Sequence, residues 1–95
     1  MTTLNQVAGK IIQEQALVIG PLAWSEAEKV PGLTIIDQKN GEVQVGNDNP
    51  KAVVDRLVAQ YERLFGRASH EVCKEAVASI IGGLAPGEIP VSLLA

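Results

Sequence analysis

The chain is poor in the residues on which protein chemistry most often rests. It has one cysteine, Cys73, and one histidine, His70. A disulfide needs two thiols and a structural zinc needs four ligands, so neither a disulfide framework nor a Cys/His zinc module can be built. A lone thiol suits a reducing compartment, and a cytoplasmic location is the expectation. Aromatics are scarce as well, with Trp24, Tyr61 and Phe65 the only three. The core must then come from Val, Ile, Leu and Ala, whose contacts are tight but individually small.

A basic excess is missing too. The 95 residues carry a net charge of −3, with three bases against six acids in residues 1–49 and five of each in 50–95. Nucleic-acid binders usually carry surplus positive charge, so this balance weighs against that role. Long apolar runs are also absent. Ala16 to Ile19, followed by Gly20-Pro21-Leu22-Ala23-Trp24, falls well short of the about 20 residues a bilayer span needs. With no basic stretch at Met1-Thr2-Thr3-Leu4, the chain reads as neither secreted nor membrane-spanning.

What is plentiful is punctuation. Gly20-Pro21, Pro31-Gly32, Asn40-Gly41, Asn49-Pro50, Gly66, Gly82-Gly83 and Pro86-Gly87 divide the chain into helix, helix, hairpin, helix, helix and tail. The expectation is a single α+β domain, 1–95, with helices at about 3–19, 21–30, 50–65 and 69–81. A β-hairpin spans about 33–38 and 42–46, and an apolar C-terminal tail runs over 84–95.

Thr3 and Gln6 form a capping box at the first helix. Its apolar set, Leu4, Val7, Ala8, Ile11, Ile12, Leu17, Val18 and Ile19, is read as one buried stripe. In the second helix Leu22, Ala23, Ala27 and Val30 point inward and Trp24 flanks them. For the hairpin, Gly41 supplies a left-handed residue in a three-residue loop, pairing Gln38 with Glu42 and Ile35 with Val45. Leu33, Ile35, Val43 and Val45 then share one face. Asn47 to Pro50 ends the hairpin, with Asn49 as N-cap and Pro50 at the first helical position. Val53, Val54, Leu57, Val58, Tyr61, Leu64 and Phe65 form the third stripe, closed by Gly66. Ser69 is expected to cap the fourth helix, whose inward set is Val72, Cys73, Ala76, Val77, Ile80 and Ile81.

No nucleophile elbow, phosphate loop or glycine fingerprint occurs, and no catalytic, cofactor-binding or metal-ligating residues are assigned. His70 and Cys73, three apart on a helix, are too few ligands for a metal, and Cys73 lies in an apolar stripe. The expectation is an inert core thiol and a solvated histidine. Arg56, Gln60, Arg63 and Arg67 line one side of the third helix, and Gly66 turns the chain into the fourth as in a helix-turn-helix. The would-be recognition helix opens with Glu71 and Glu75 close to its groove-facing turns, which argues against DNA.

Trp24 is read either as the edge of the core or as an exposed aromatic anchor. Ile89, Val91, Leu93 and Leu94 make the tail too apolar to lie free in water. Together with Trp24 they are the candidate interaction surface. Val18-Ile19-Gly20-Pro21-Leu22-Ala23 and the segment from Tyr61 through Phe65-Gly66 to Val72-Cys73-Lys74 give the chain a look similar to small bacterial proteins of unknown function of cyanobacterial type. That resemblance implies no activity, cofactor or site. The functional expectation is a non-enzymatic protein-interaction or regulatory module that binds a protein partner or self-associates. The alternatives are a small-ligand-binding or enzyme-accessory domain with a pocket between hairpin and helices, and a weak DNA-binding regulator.

Overall fold

Helix α1 (Leu4–Ile19) starts where local chemistry places it. The Thr3 side chain accepts from the Gln6 amide at 3.2 Å, and the Gln6 side chain accepts from the Thr3 amide at 2.8 Å. These two bonds satisfy donors that a helix start leaves open. The structure, a computed structural model, describes residues 3–46 and 49–94. Its elements after α1 are α2 (Leu22–Ala27), strands β1 (Leu33–Asp37) and β2 (Glu42–Val45), α3 (Pro50–Phe65) and α4 (Arg67–Val77). Three short 3-10 turns follow at Ile81–Gly83, Pro86–Glu88 and Val91–Leu93. This is the expected α+β domain. α1 lies at its centre, packed against α4, β2, α2 and α3.

Several boundaries and faces differ from expectation. α2 ends at Ala27, not 30, because Lys29 and Val30 switch to i→i−3 hydrogen bonds on Glu26 and Ala27. The residue before a proline is steered out of helix, and Pro31 follows. Its buried face is Ala23, Trp24 and Ala27, with Leu22 outward. In α1 the buried positions are Val7, Ala8, Gly9, Ile11, Ile12 and Gln15, whereas Leu17 and Val18 lie on the solvent side. Leu64 is likewise exposed at the end of α3.

The hairpin keeps its expected face but not its register. Leu33 pairs with Val45, Ile35 with Val43 and Asp37 with Glu42. Relative to the expected pairing of Ile35 with Val45, β2 has moved by two residues, a shift that leaves every side chain on its original face. The cause is Asp37. Its Oδ1 accepts from the Lys39 and Asn40 amides and its Oδ2 from Asn40 Nδ2, so the loop closes over Gln38 to Gly41. Gly41 does adopt φ 72°. The extra residue is Ile36, bulged out of β1 between Ile35 and Asp37 and exposed.

Asn49 caps α3 by accepting from the Ala52 amide, with Pro50 at the first turn; Asn47 and Asp48 lie outside the described residues. Gly66, at φ 85°, does two jobs at once. Its amide donates to the Glu62 carbonyl to end α3, and its carbonyl accepts from the Ser69 amide to start α4. Ser69 is therefore buried inside α4 and not its cap. α4 ends at Val77, not 81, as the chain tightens into 3-10 turns ahead of Gly82-Gly83.

The core joins the helices and strands through Val7, Ile11 and Ile12 of α1, Trp24 of α2, Leu33 of β1, Val43 and Val45 of β2, Val54, Leu57 and Tyr61 of α3, and Cys73 and Val77 of α4. Tyr61 is fully buried, and its hydroxyl donates to the Ala23 carbonyl at 2.7 Å. Burial pushes its phenol well above the ordinary value of 10.0.

Candidate functional site

The tail does not offer the surface expected of it. It folds back onto α3, burying Leu84, Pro90 and Leu93 and half-burying Ile89. Ser92 fixes it in place. Its amide and hydroxyl both donate to Asp55 Oδ1, at 3.0 and 2.6 Å, and its carbonyl oxygen lies 2.6 Å from His70 Nε2. Of the five expected surface residues only Val91 and Leu94 remain exposed. Trp24 is 7% exposed. A side chain so enclosed cannot serve as an anchor for a partner, and the core-edge reading of Trp24 is the one that fits.

His70 is not a solvated side chain. Its Nδ1 lies 2.8 Å from Glu62 Oε1 while Nε2 faces Ser92, so the ring ties α3, α4 and the tail together and has no nitrogen left for a metal or a thiol. Cys73 is fully buried, as expected from its stripe, and burial raises its thiol from 9.0 to about 11. Its neighbour is Gln15, which sequence reasoning did not place inside. Gln15 Nε2 donates to the Ser69 carbonyl at 2.8 Å and to Cys73 Sγ at 3.3 Å. Gln15 Oε1 has no partner among the described residues. The signal for it was its place four residues after Ile11 and three after Ile12, on the buried side of the helix.

The first five residues of α4 present only Arg67, Ala68 and Glu71 to solvent, with Ser69 beneath Gln15 and His70 under the tail. Such a surface gives a would-be recognition helix little with which to reach base edges.

Two surfaces stand out. One is the apolar end of α1, where Leu17 is 80% and Val18 65% exposed, with Leu22 at 46% just beyond the Gly20-Pro21 break. Beside them a groove of about 430 Å³ runs between α1 and α4, lined by Lys10, Glu14, Leu17, Val18, Val72 and Glu75 among others. The other is a groove of about 740 Å³ between α1 and the hairpin. Asn5, Gln6, Lys10, Gln13 and Gln44 line it with polar groups, and Ile36 and Ile80 add apolar surface. Asn5 already acts on backbone here, its Oδ1 accepting from the Val45 amide on the strand edge at 2.9 Å. No helix among the described residues is long and apolar enough to cross a membrane, and among them no group of three or more His, Cys, Asp or Glu could hold a metal ion. Comparison of the chain with known protein families, with curated proteins and with solved structures finds no match to any of them.

Proposed function

We propose that this domain is a non-enzymatic protein-interaction module that docks a second copy of itself through the apolar end of α1. The observation that carries the reading is the exposure of Leu17 and Val18, two large aliphatics adjacent in sequence, with Leu22 exposed just beyond them. Singly exposed aliphatics are ordinary, whereas aliphatics grouped into one exposed patch favour a contact surface. The rim of the groove beside them holds both signs of charge, Lys10 paired with Glu14 at 3.3 Å and Glu75 across from them on α4. An apolar centre with a mixed rim is complementary to its own copy under two-fold symmetry, where each patch meets the same patch.

Magnitudes set the expected strength. Completing the burial of Leu17, Val18 and Leu22 contributes about 4 kcal/mol per copy, or about 8 kcal/mol for a symmetric pair. Association costs about 4–15 kcal/mol in lost freedom and side-chain ordering. At the low end of that cost the balance is about 4 kcal/mol, a weak dimer with a dissociation constant of about 1 mM. Sedimentation velocity across a concentration series tests it. The mass should rise with concentration in the native protein and stay monomeric in Leu17→Glu, whose fold should be intact because the side chain is outside the core. A native chain still monomeric at about 1 mM defeats the reading.

A second reading rests on the 740 Å³ groove, which has the size and mixed lining of a small-molecule site. A thermal-shift screen supports it if a compound raises the midpoint and Gln13→Ala abolishes the rise.

A further inference from the structure

α3 sorts its charges into two files with a seven-residue repeat. Asp55 and Glu62 turn toward the tail and α4, where Ser92 and His70 engage them. Arg56 and Arg63, each one position later, face the turn after α2. Arg56 Nη1 donates to the Pro31 carbonyl at 3.3 Å, and Arg63 Nη2 donates to Gln60 Oε1 at 2.6 Å. Among the described residues the ion pairs use lysines and the histidine, and neither arginine has a carboxylate partner. The carboxylate close by, Glu26, is buried and already committed. Its Oε2 accepts from Lys29 Nζ at 3.0 Å and its Oε1 from Gln60 Nε2 at 2.8 Å. Glu26 is held most closely by Lys29 and feels Arg63 more weakly, so three cations share one carboxylate here and positive charge is left over, in a chain whose net charge is −3.

Between these groups lies a cavity of about 360 Å³, lined by Val30, Pro31, Arg56, Ala59, Gln60 and Arg63. Its polar wall is organised in advance. Glu26 fixes the amide of Gln60, which turns Oε1 toward Arg63 and holds that guanidinium in place, while Pro31 holds the other. Guanidinium is the group that matches carboxylate and phosphate oxygens with paired donors, and each arginine here uses one of its five. A bare inorganic ion would leave the apolar wall unused.

We infer that this cavity binds a small organic dianion, a dicarboxylate or a phosphate monoester, with its charged ends on Arg56 and Arg63 and its carbon body against Val30, Pro31 and Ala59. The site lies apart from Leu17 and Val18, so binding and self-association are separable.

The test is an amide-detected NMR titration of the full chain with succinate and with glycerol 3-phosphate, run against sodium chloride at matched ionic strength. One probe or both should give saturable shifts at Val30, Gly32, Ala59, Gln60 and Arg63, with a dissociation constant of about 1 mM. Arg56→Gln and Arg63→Gln should each weaken binding about tenfold or more, equivalent to about 1.4 kcal/mol. Arg67→Gln, outside the cavity, and Leu17→Glu should bind as the native chain does. A response to one probe alone identifies which oxyanion the site prefers. The inference is overturned if neither probe saturates by about 10 mM, if sodium chloride produces the same shifts, or if Arg63→Gln binds undiminished.

Discussion

Replacing Gly9 with alanine sets two effects of opposite sign against each other. Gly9 lies in the middle of α1, where alanine is favoured over glycine by about 1 kcal/mol. On propensity alone, Gly9→Ala should stabilise the protein. But Gly9 is where the helix crosses the hairpin loop, and a Cβ there would overlap the Gly41 carbonyl oxygen, with Val43 Cγ2 a further 3.8 Å neighbour. The obstacle is backbone, so no rotamer change relieves it. Gly41 is itself confined, with φ 72°, its amide on the Gln38 carbonyl and the Gln13 side chain against it. Helix and loop must separate, which costs about 1–3 kcal/mol in overpacking strain and weakens the Asn5 to Val45 hydrogen bond one turn away, worth about 1 kcal/mol. The packing term wins. The expected net loss is about 2 kcal/mol, a fall in melting temperature of roughly 8–16 °C for a domain of this size. Gly82→Ala is the control, because a Cβ there meets nothing within 4 Å, and its melting temperature should change by only a few degrees. Calorimetry of the two variants decides the matter. If Gly9→Ala melts at or above the native protein, the close approach of α1 to the loop is wrong.

Three further outcomes follow from the packing. Tyr61→Phe removes the hydroxyl that satisfies the buried Ala23 carbonyl and should lower stability by about 1–2 kcal/mol in urea titration; a variant as stable as the native protein would contradict that hydrogen bond. Cys73, with its thiol raised to about 11 by burial, should react with a thiol reagent at pH 8 only as fast as the protein opens, and immediate stoichiometric labelling would refute its enclosure. Truncation after Gly83 removes the buried Leu84, Pro90 and Leu93, so the melting temperature should fall by about 10 °C or more while the dilute mass stays monomeric; an unchanged melting temperature would show that the tail does not belong to the core.

The parts of the fold visible in sequence are those whose cause is local. Thr3 with Gln6, Asn49 with Pro50, and Gly66 each act within a few residues, so local chemistry fixes the starts of α1 and α3 and the α3–α4 turn. The shared face of Leu33, Ile35, Val43 and Val45 was legible because strand parity survives a two-residue error. The register was not, since the choice of a four-residue loop over a three-residue one rests on the bonds of the Asp37 carboxylate to Lys39 and Asn40. Ser69 looks like a cap in sequence, but Gly66 had already supplied the start of α4. The cavity beside Arg56 and Arg63 was half legible. The arginine stripe shows at helical spacing, while the buried Glu26 that orients its wall comes from α2, 34 residues before Gln60.

The case of α1 is different, because sequence carried two signals there and they disagreed. Hydrophobicity put Leu17 and Val18 inside. The angular period, starting from Ala8, Ile11 and Ile12, put Gln15 inside and turned Leu17 away. The structure follows the period. Rotating α1 to bury Leu17 would bring Ile11 and Ile12 out of a core in which both are fully enclosed. It would also break the bonds from Gln15 to Ser69 and Cys73. The amide inside and Leu17 outside are therefore one arrangement: the buried hydrogen bonds of Gln15 set the rotation of the helix, and that rotation holds Leu17 in solvent.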